Sequence, residues 1–308
     1  MIRIFAGSHQ YTKDGVAPVV TIGNFDGVHL GHQKLLETLK IEAKKRSAPS
    51  CVFTFEPSPR VLLSPKLKIP RIAPWNKKVH LLEQLEIDHL ILERFSLPFA
   101  QHSAEWFVRE IIQKRLRAQM MVVGYDFRFG RARAGTIDTI KKLLPNVDIK
   151  QVSALTLGDD IVSSSAIRQK VLDGDVEKAK ILLGRPYSLE GVVVLGAQRG
   201  RTMGFPTANV ETDFSLIPSS GVYAVRVRVD YGEWRDGISN LGMNPTFDGK
   251  KFQIEVHIFD FKKDIYGSDM EIQFINRIRS ERRFSSKKEL KSQLERDAAK
   301  ARIILKSM

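Results

Sequence analysis

Two histidines three residues apart, His29 and His32, stand in GNFDGVHLGHQKLL, between an apolar run and an amphipathic one. Residues three apart share a helix face, and the first turn of a helix carries unpaired N–H groups and the positive end of its dipole. The pair therefore points to an anion such as phosphate. The residues alone keep two other readings open: a structural pair, and a metal site shared with Asp26. Gly23 and Gly27 permit close backbone approach, and Gly31 leaves no side chain between the imidazoles. No GxxxxGK[ST] and no GxGxxG occurs, so any nucleotide is held in another way.

Three further constellations carry candidate chemistry. VVGYDFRFGRARAG, residues 122–135, offers Asp126, Arg128, Arg131 and Arg133 in a loop bounded by glycines, and SSSAIR, residues 163–168, opens a helix with hydroxyls and Arg168. Each alone is equally a solvated loop or a helix cap; together with the histidines they describe a polyphosphate site. RGRTMGFPTANV, residues 199–210, is either a basic loop entering a strand or a magnesium–nucleotide site. On the second reading Gly200 and Gly204 frame a flap with Arg201 and Gly204 against a nucleotide. Thr207 and Asn209, two apart on one strand face, supply the neutral oxygens that suit Mg²⁺. Glu255 in IEVHIFDF projects opposite Ile254, Val256 and Ile258, where a carboxylate is either solvated or a base.

The elements that position these residues differ between the two halves. Up to residue 185, apolar runs at 19–22, 51–55, 89–92, 120–123 and 149–152 alternate with helical patterns at 33–45, 77–84, 104–116 (with Ser103 as N-cap) and 136–143. This predicts a Rossmann-like α/β domain with a mostly parallel sheet covered on both faces, and ligands beyond the carboxyl ends of its strands. Two short helices, 166–172 and 176–183, close on Gly174 and Gly184. After Pro186 alternating strands dominate, as in Val225, Val227 and Val229 against Arg226 and Arg228, which predicts an antiparallel β-barrel over 186–308. A final helix over 287–305 is announced by Ser286 and Glu289, a capping box.

The whole chain sets outer bounds. Its 308 residues suit two domains, and 43% hydrophobic with 27% charged residues is an ordinary globular composition. No apolar stretch approaches the roughly 20 residues of a membrane helix, and the amino terminus lacks the apolar region of a signal peptide. The single cysteine, Cys51, forms no internal disulfide, so the expectation is a cytoplasmic protein. The net charge of +14 calls for an anionic partner. Its basic residues are dispersed and no zinc-finger or aromatic RNA-binding signature occurs, which favours small phosphorylated ligands over nucleic acid or a membrane surface.

GNFDGVHLGH, VVGYDFRFGRARAG and SSSAIR, in this order and spacing, resemble the nucleotidyltransferase half of the bifunctional riboflavin kinase/FAD synthetases of bacteria. GRPYSLEGVVV, GRTMGFPTAN, GVYAVRV, LGMNPTF, EVHIFDF with DIYG, and the tail RSERRFSSKKELKSQLERD are similar, in order, to that family's riboflavin kinase module. The resemblance implies that His29 and His32 bind ATP phosphates, that Arg168 with Ser164 and Ser165 holds the leaving pyrophosphate, and that Asn24, Asp126 and Phe127 line the nucleotide and flavin pocket. It also implies that Thr207 and Asn209 bind Mg²⁺ with ATP and that Glu255 receives the proton of the ribityl 5′-hydroxyl. Riboflavin, FMN and ATP are then the small-molecule partners, FMN and FAD the products, and a monomer or weak homo-oligomer is expected. Two positions depart from the family: serine replaces the usual threonine at Ser165, and Ser58 stands where histidine is frequent.

Overall fold

All four residues of Val19–Ile22 are β-branched and buried, and they form a central strand of a parallel sheet. The computed structural model describes residues 1–11, 16–196, 204–246 and 249–307. The chain divides into two compact units, Met1–Ile69 with Ala73–Ser164, and Pro70–Ile72 with Ser165–Met308.

In the first unit β1 (Arg3–Phe5), β2 (Val19–Ile22), β3 (Ser50–Glu56), β4 (His89–Arg94), β5 (Met120–Gly124) and β6 (Asp148–Val152) run parallel in the order β1-β4-β3-β2-β5-β6. Strand alternation divides the apolar residues between two faces. Val20, Ile22, Cys51, Phe53, Met121 and Val123 pack with Phe107, Ile111 and Ile112 on one side. Val19, Val52, Leu90 and Val122 pack with Leu36, Leu39 and Leu82 on the other. Each fully buried leucine contributes about 1.5–3 kcal/mol relative to an exposed one. From β2 the chain builds outward to β3 and β4, then resumes at β5 on the other side of β2. The carboxyl ends of β2 and β5 thus flank the switch point where open α/β sheets bind ligands.

Three local features differ from the sequence pattern. The edge strand β1 is too short, at three residues with only Phe5 buried, to leave a periodic signal. The segment expected as one helix over 104–116 is α-helical at Ala104–Trp106 and a π-helix at Phe107–Arg115, in which the Leu116 N–H reaches the Ile111 carbonyl at 2.9 Å. Ser103 caps it as expected, its Oγ accepting the Trp106 N–H at 3.1 Å. A two-stranded ribbon of β7 (Thr156–Leu157) and β8 (Asp160–Ile161) closes this unit.

The second unit is a closed antiparallel barrel of β9 (Tyr187–Val194), β10 (Ala208–Glu211), β11 (Gly221–Val229), β12 (Arg235–Thr246), β13 (Gly249–Ile258) and β14 (Asp269–Ser280). Val225 and Val227 fill its interior while Arg226 and Arg228 face out. On the same outer face Val222 and Ala224 are buried instead, because the helix Lys287–Lys306 covers them with Ala301 and Leu305. The capping box expected for that helix is half made. Ser286 Oγ accepts the Glu289 N–H, but the Glu289 carboxylate turns to the N–H and hydroxyl of Ser285 at 2.9 and 2.8 Å. The helix Val176–Leu183, which packs on β9 and β14, ends on Gly184 in the left-handed region at φ 75°.

Candidate functional site

Between β2 and the helix Leu30–Lys45 the chain turns through left-handed residues Phe25 (φ 48°), Gly27 (φ 78°) and Val28 (φ 40°). For the two that carry side chains this costs of order 1–3 kcal/mol each. Both side chains are 1% exposed in the apolar core, so packing holds the loop in its strained form. Hydrogen bonds hold its backbone. The Asn24 carbonyl accepts from Lys78 Nζ at 3.0 Å and from Thr54 Oγ1 at 3.3 Å. The Asp26 carbonyl accepts from Ser164 Oγ at 3.1 Å, and its Oδ1 accepts the Ala73 N–H at 3.3 Å. Gly23 lies against Phe25, whose ring an added Cβ would approach to 3.1 Å.

His29 is the N-cap of the helix, and its Nδ1 accepts the backbone N–H of His32 at 3.2 Å. A nitrogen that accepts carries no proton, so the neutral ring bears its hydrogen on Nε2 as a donor. The two rings stack at 3.6 Å between centroids and 16° between planes. Gly31 allows this: a Cβ there would meet the His29 ring at 3.2 Å and the Val162 carbonyl at 3.3 Å. Burial, then His29, then the Lys78 ammonium hold His32 well below the usual imidazole range, so the ring is neutral near pH 7. His32 Nδ1 is buried and has no hydrogen-bond partner among the described residues. Among the described residues no group of three or more His, Cys, Asp or Glu is placed to hold a metal. The helix terminus, with its donors and a cation behind it, could take a phosphate.

That cation, Lys78, is a residue the sequence reading passes over. Its side chain is buried, beside the Trp75 ring at 5.4 Å. The signal was present: Trp75, Lys78, Leu82 and Leu85 recur at helical spacing, so Lys78 occupies the inward stripe and Lys77 does not.

The loop after β5 is braced by its glycines. Phe129 and Gly135 exchange backbone hydrogen bonds at 3.2 and 2.8 Å, and a Cβ on Gly135 would strike the Phe129 ring at 2.7 Å. Phe127 stacks on Phe129 at 5.4 Å and packs on the core, whereas Asp126 is exposed. Nearby His102 and Trp106 stack at 3.6 Å, with the His102 carbonyl accepting the Arg131 N–H at 2.9 Å. Aromatic faces and an exposed carboxylate thus stand beyond the carboxyl end of β5. Ser58 is the N-cap of the helix Pro59–Leu63 without a side-chain capping bond. Ser165 and Arg168 belong to the second unit, where Arg168 Nε donates to the Pro70 carbonyl at 2.7 Å.

On the barrel, Asn209 of β10 pairs with Glu255 of β13, which pairs in turn with Asn240 of β12. Paired residues share a face, and here it is the outer one, since Val210, Ile254 and Val256 are buried inside. Thr207 is two residues before Asn209, and Gly204 before it is exposed at φ 83°. A Cβ on Gly196 would fall 1.9 Å from Asn209 Nδ2, so a glycine makes the room that the Asn209 side chain occupies. The hydroxyl of Thr207 and the amide oxygen of Asn209 are hard oxygen donors of the kind that suits Mg²⁺ rather than a softer metal. Arg201, the other expected nucleotide contact, lies outside the described residues.

Comparison with known proteins shows the family of the chain. Residues 12–166 match the family model for FAD synthetase, and residues 183–305 match that for riboflavin kinase. The chain is similar to a bifunctional riboflavin kinase/FMN adenylyltransferase of Bacillus subtilis, at 40% identity over 97% of this chain and 96% of the relative. It is similar also to proteins of the same description from Escherichia coli, at 39% over 98% and 97%, and Haemophilus influenzae, at 35% over 99% and 100%. A solved structure described as a macrolide-efflux protein from Streptococcus pneumoniae superposes with a TM-score of 0.87 at 33% identity, covering 96% of this chain and 97% of that one. Among the described residues of the present chain, no helix is long and apolar enough to cross a membrane.

Proposed function

The chain belongs to the bifunctional riboflavin kinase/FMN adenylyltransferase family, and from that membership we propose which of its residues carry each reaction. It phosphorylates riboflavin with ATP to give FMN, and joins AMP from a second ATP to FMN to give FAD and pyrophosphate. We assign the adenylyl transfer to residues 1–185 and the kinase to 186–308.

In adenylyl transfer an oxygen of the FMN phosphate bonds to the α-phosphorus of ATP, and the bond to the β-phosphate oxygen breaks. Negative charge grows on the oxygens around the α-phosphorus. His29 and His32 supply neutral N–H donors there, and the helix terminus and Lys78 add positive potential. No covalent intermediate is needed. Gly23, Asn24, Asp26 and Gly31 shape the backbone that the nucleotide approaches, and Ser164 ties it to the SSSAIR segment. Ser165 and Arg168 attend the departing pyrophosphate, and Asp126 and Phe127 receive the flavin. The observation that carries this assignment is the stacked His29–His32 pair at the amino end of the helix after β2.

In the kinase, Glu255 accepts the proton of the ribityl 5′-hydroxyl as that oxygen bonds to the γ-phosphorus and ADP leaves. Thr207 and Asn209 would hold Mg²⁺, which when bound neutralises charge on the ATP phosphates. Arg201 and Gly204 belong to the flap over the nucleotide. ATP chemistry and one buried, free cysteine agree with a cytoplasmic enzyme, and we take it to work as a monomer or weak homo-oligomer.

The test is to incubate the protein with riboflavin, ATP and Mg²⁺ and to separate the flavins by chromatography. FMN is expected first and FAD after it. Failure to form either, or FAD formation that is indifferent to replacement of both histidines, would overturn the assignment.

A further inference from the structure

The ladder between β10 and β13 stops at the Ala208–Val256 pair, one residue short of Thr207. Ahead of it comes Pro206, which has no N–H to offer a ladder. A side chain continues the attachment where the backbone ceases. Nδ1 of His257 lies 2.8 Å from the Pro206 carbonyl oxygen. A carbonyl only accepts, so Nδ1 carries the proton. The Phe205 ring meets the His257 ring edge to face at 5.2 Å. Phe259 backs the imidazole at 5.8 Å and is itself covered by the Arg302 guanidinium at 4.2 Å. His257 is two residues from Glu255 on β13 and so shares its outward face.

We propose that His257 is a positioning residue of the kinase site: it fixes the segment Gly204–Pro206 so that Thr207 is presented on the same face as Asn209 and Glu255. Thr207 is then held from both sides, by the ladder at Ala208 and by the imidazole at Pro206. A hydroxyl placed this way serves a Mg²⁺–nucleotide complex, which tolerates little misplacement of its ligands. The inference rests on the assignment of Thr207 and Asn209 to magnesium.

The experiment uses the full-length protein and measures riboflavin phosphorylation against ATP and against Mg²⁺. His257→Phe keeps a ring between Phe205 and Phe259 but has no donor. KM for ATP and the half-saturating Mg²⁺ should rise about three- to tenfold, the net worth of one hydrogen bond, with a smaller change in kcat. In His257→Asn the amide nitrogen sits near the Nδ1 position and should restore most of the loss; the longer His257→Gln should not. FAD formation from supplied FMN should be unchanged in all three. Unaltered KM and Mg²⁺ dependence in His257→Phe, or equal behaviour of the Asn and Phe variants, overturns the proposal. A parallel fall in FAD formation overturns it too, since His257 would then hold up the protein at large. Asn209→Ala separates the two levels: if it leaves Mg²⁺ dependence untouched the magnesium assignment fails, whereas a shift there without one in His257→Phe sinks the positioning role alone.

Discussion

His29 and His32 are bound to each other twice: through a hydrogen bond from the backbone N–H of His32 to Nδ1 of His29 at 3.2 Å, and through ring stacking at 3.6 Å. The first histidine is therefore a helix cap, and in the function proposed above it is a phosphate donor as well. Capping orients its ring before any nucleotide arrives, and this limits the reorganisation left for the reaction.

Because these two roles sit in one side chain, substitutions can part them. His29→Ala should lose the cap, costing about 0.5–2 kcal/mol, as well as the imidazole. His29→Asn can cap in its place, so melting temperature should recover while FAD formation does not. Replacing both histidines by alanine should lower FAD formation by about 10²-fold or more and leave FMN to accumulate. Thermal melts and flavin chromatography on the same preparations decide this.

Gly31→Ala opposes two effects. Alanine favours a helix over glycine by about 0.8–1 kcal/mol. Its Cβ, however, would meet the His29 ring at 3.2 Å and the Val162 carbonyl at 3.3 Å, and the ring has the freer path of retreat. FAD formation should fall although stability holds or rises. Wild-type activity in a stabilised variant would show that the ring need not stand where it does.

Removal of the Lys78 charge should be visible at His32. The lowered value of His32 means that the unfolded chain takes up a proton while the folded one does not. Its contribution to stability is thus whole above about 6.5 and is lost as pH falls from there towards the folded value. Lys78→Met removes a positive neighbour, so the His32 imidazole should titrate higher in a histidine NMR experiment. The acid-induced loss of stability should shrink and FAD formation decline. No movement of that titration would detach Lys78 from the site.

Glu255→Gln keeps size but cannot take a proton, and riboflavin phosphorylation should drop by about 10²- to 10⁴-fold. Asn209→Ala should lose the same reaction with a raised Mg²⁺ requirement. Supplied with FMN, both should still make FAD. Loss of both reactions in a variant that melts normally would refute the assignment of one reaction to each half.

Local chemistry in the sequence by itself determined much of this protein. β-Branched runs made β2 and its neighbours, glycines bracketed the loops after β2 and β5, Ser103 and Ser286 capped helices, and alternation turned Glu255 away from Ile254 and Val256. Each follows from forces acting within a few residues. Tertiary structure decided what depends on partners distant along the chain. The edge strand β1 exists because β4, more than eighty residues later, offers it a ladder. Lys78 became a buried cation, and His32 a low-titrating base, only when the loop at Asn24 folded over them, because desolvation acts on a group through everything that surrounds it. Asn209 came opposite Glu255 only when the barrel closed, since strand register is a property of pairs and no single segment carries it.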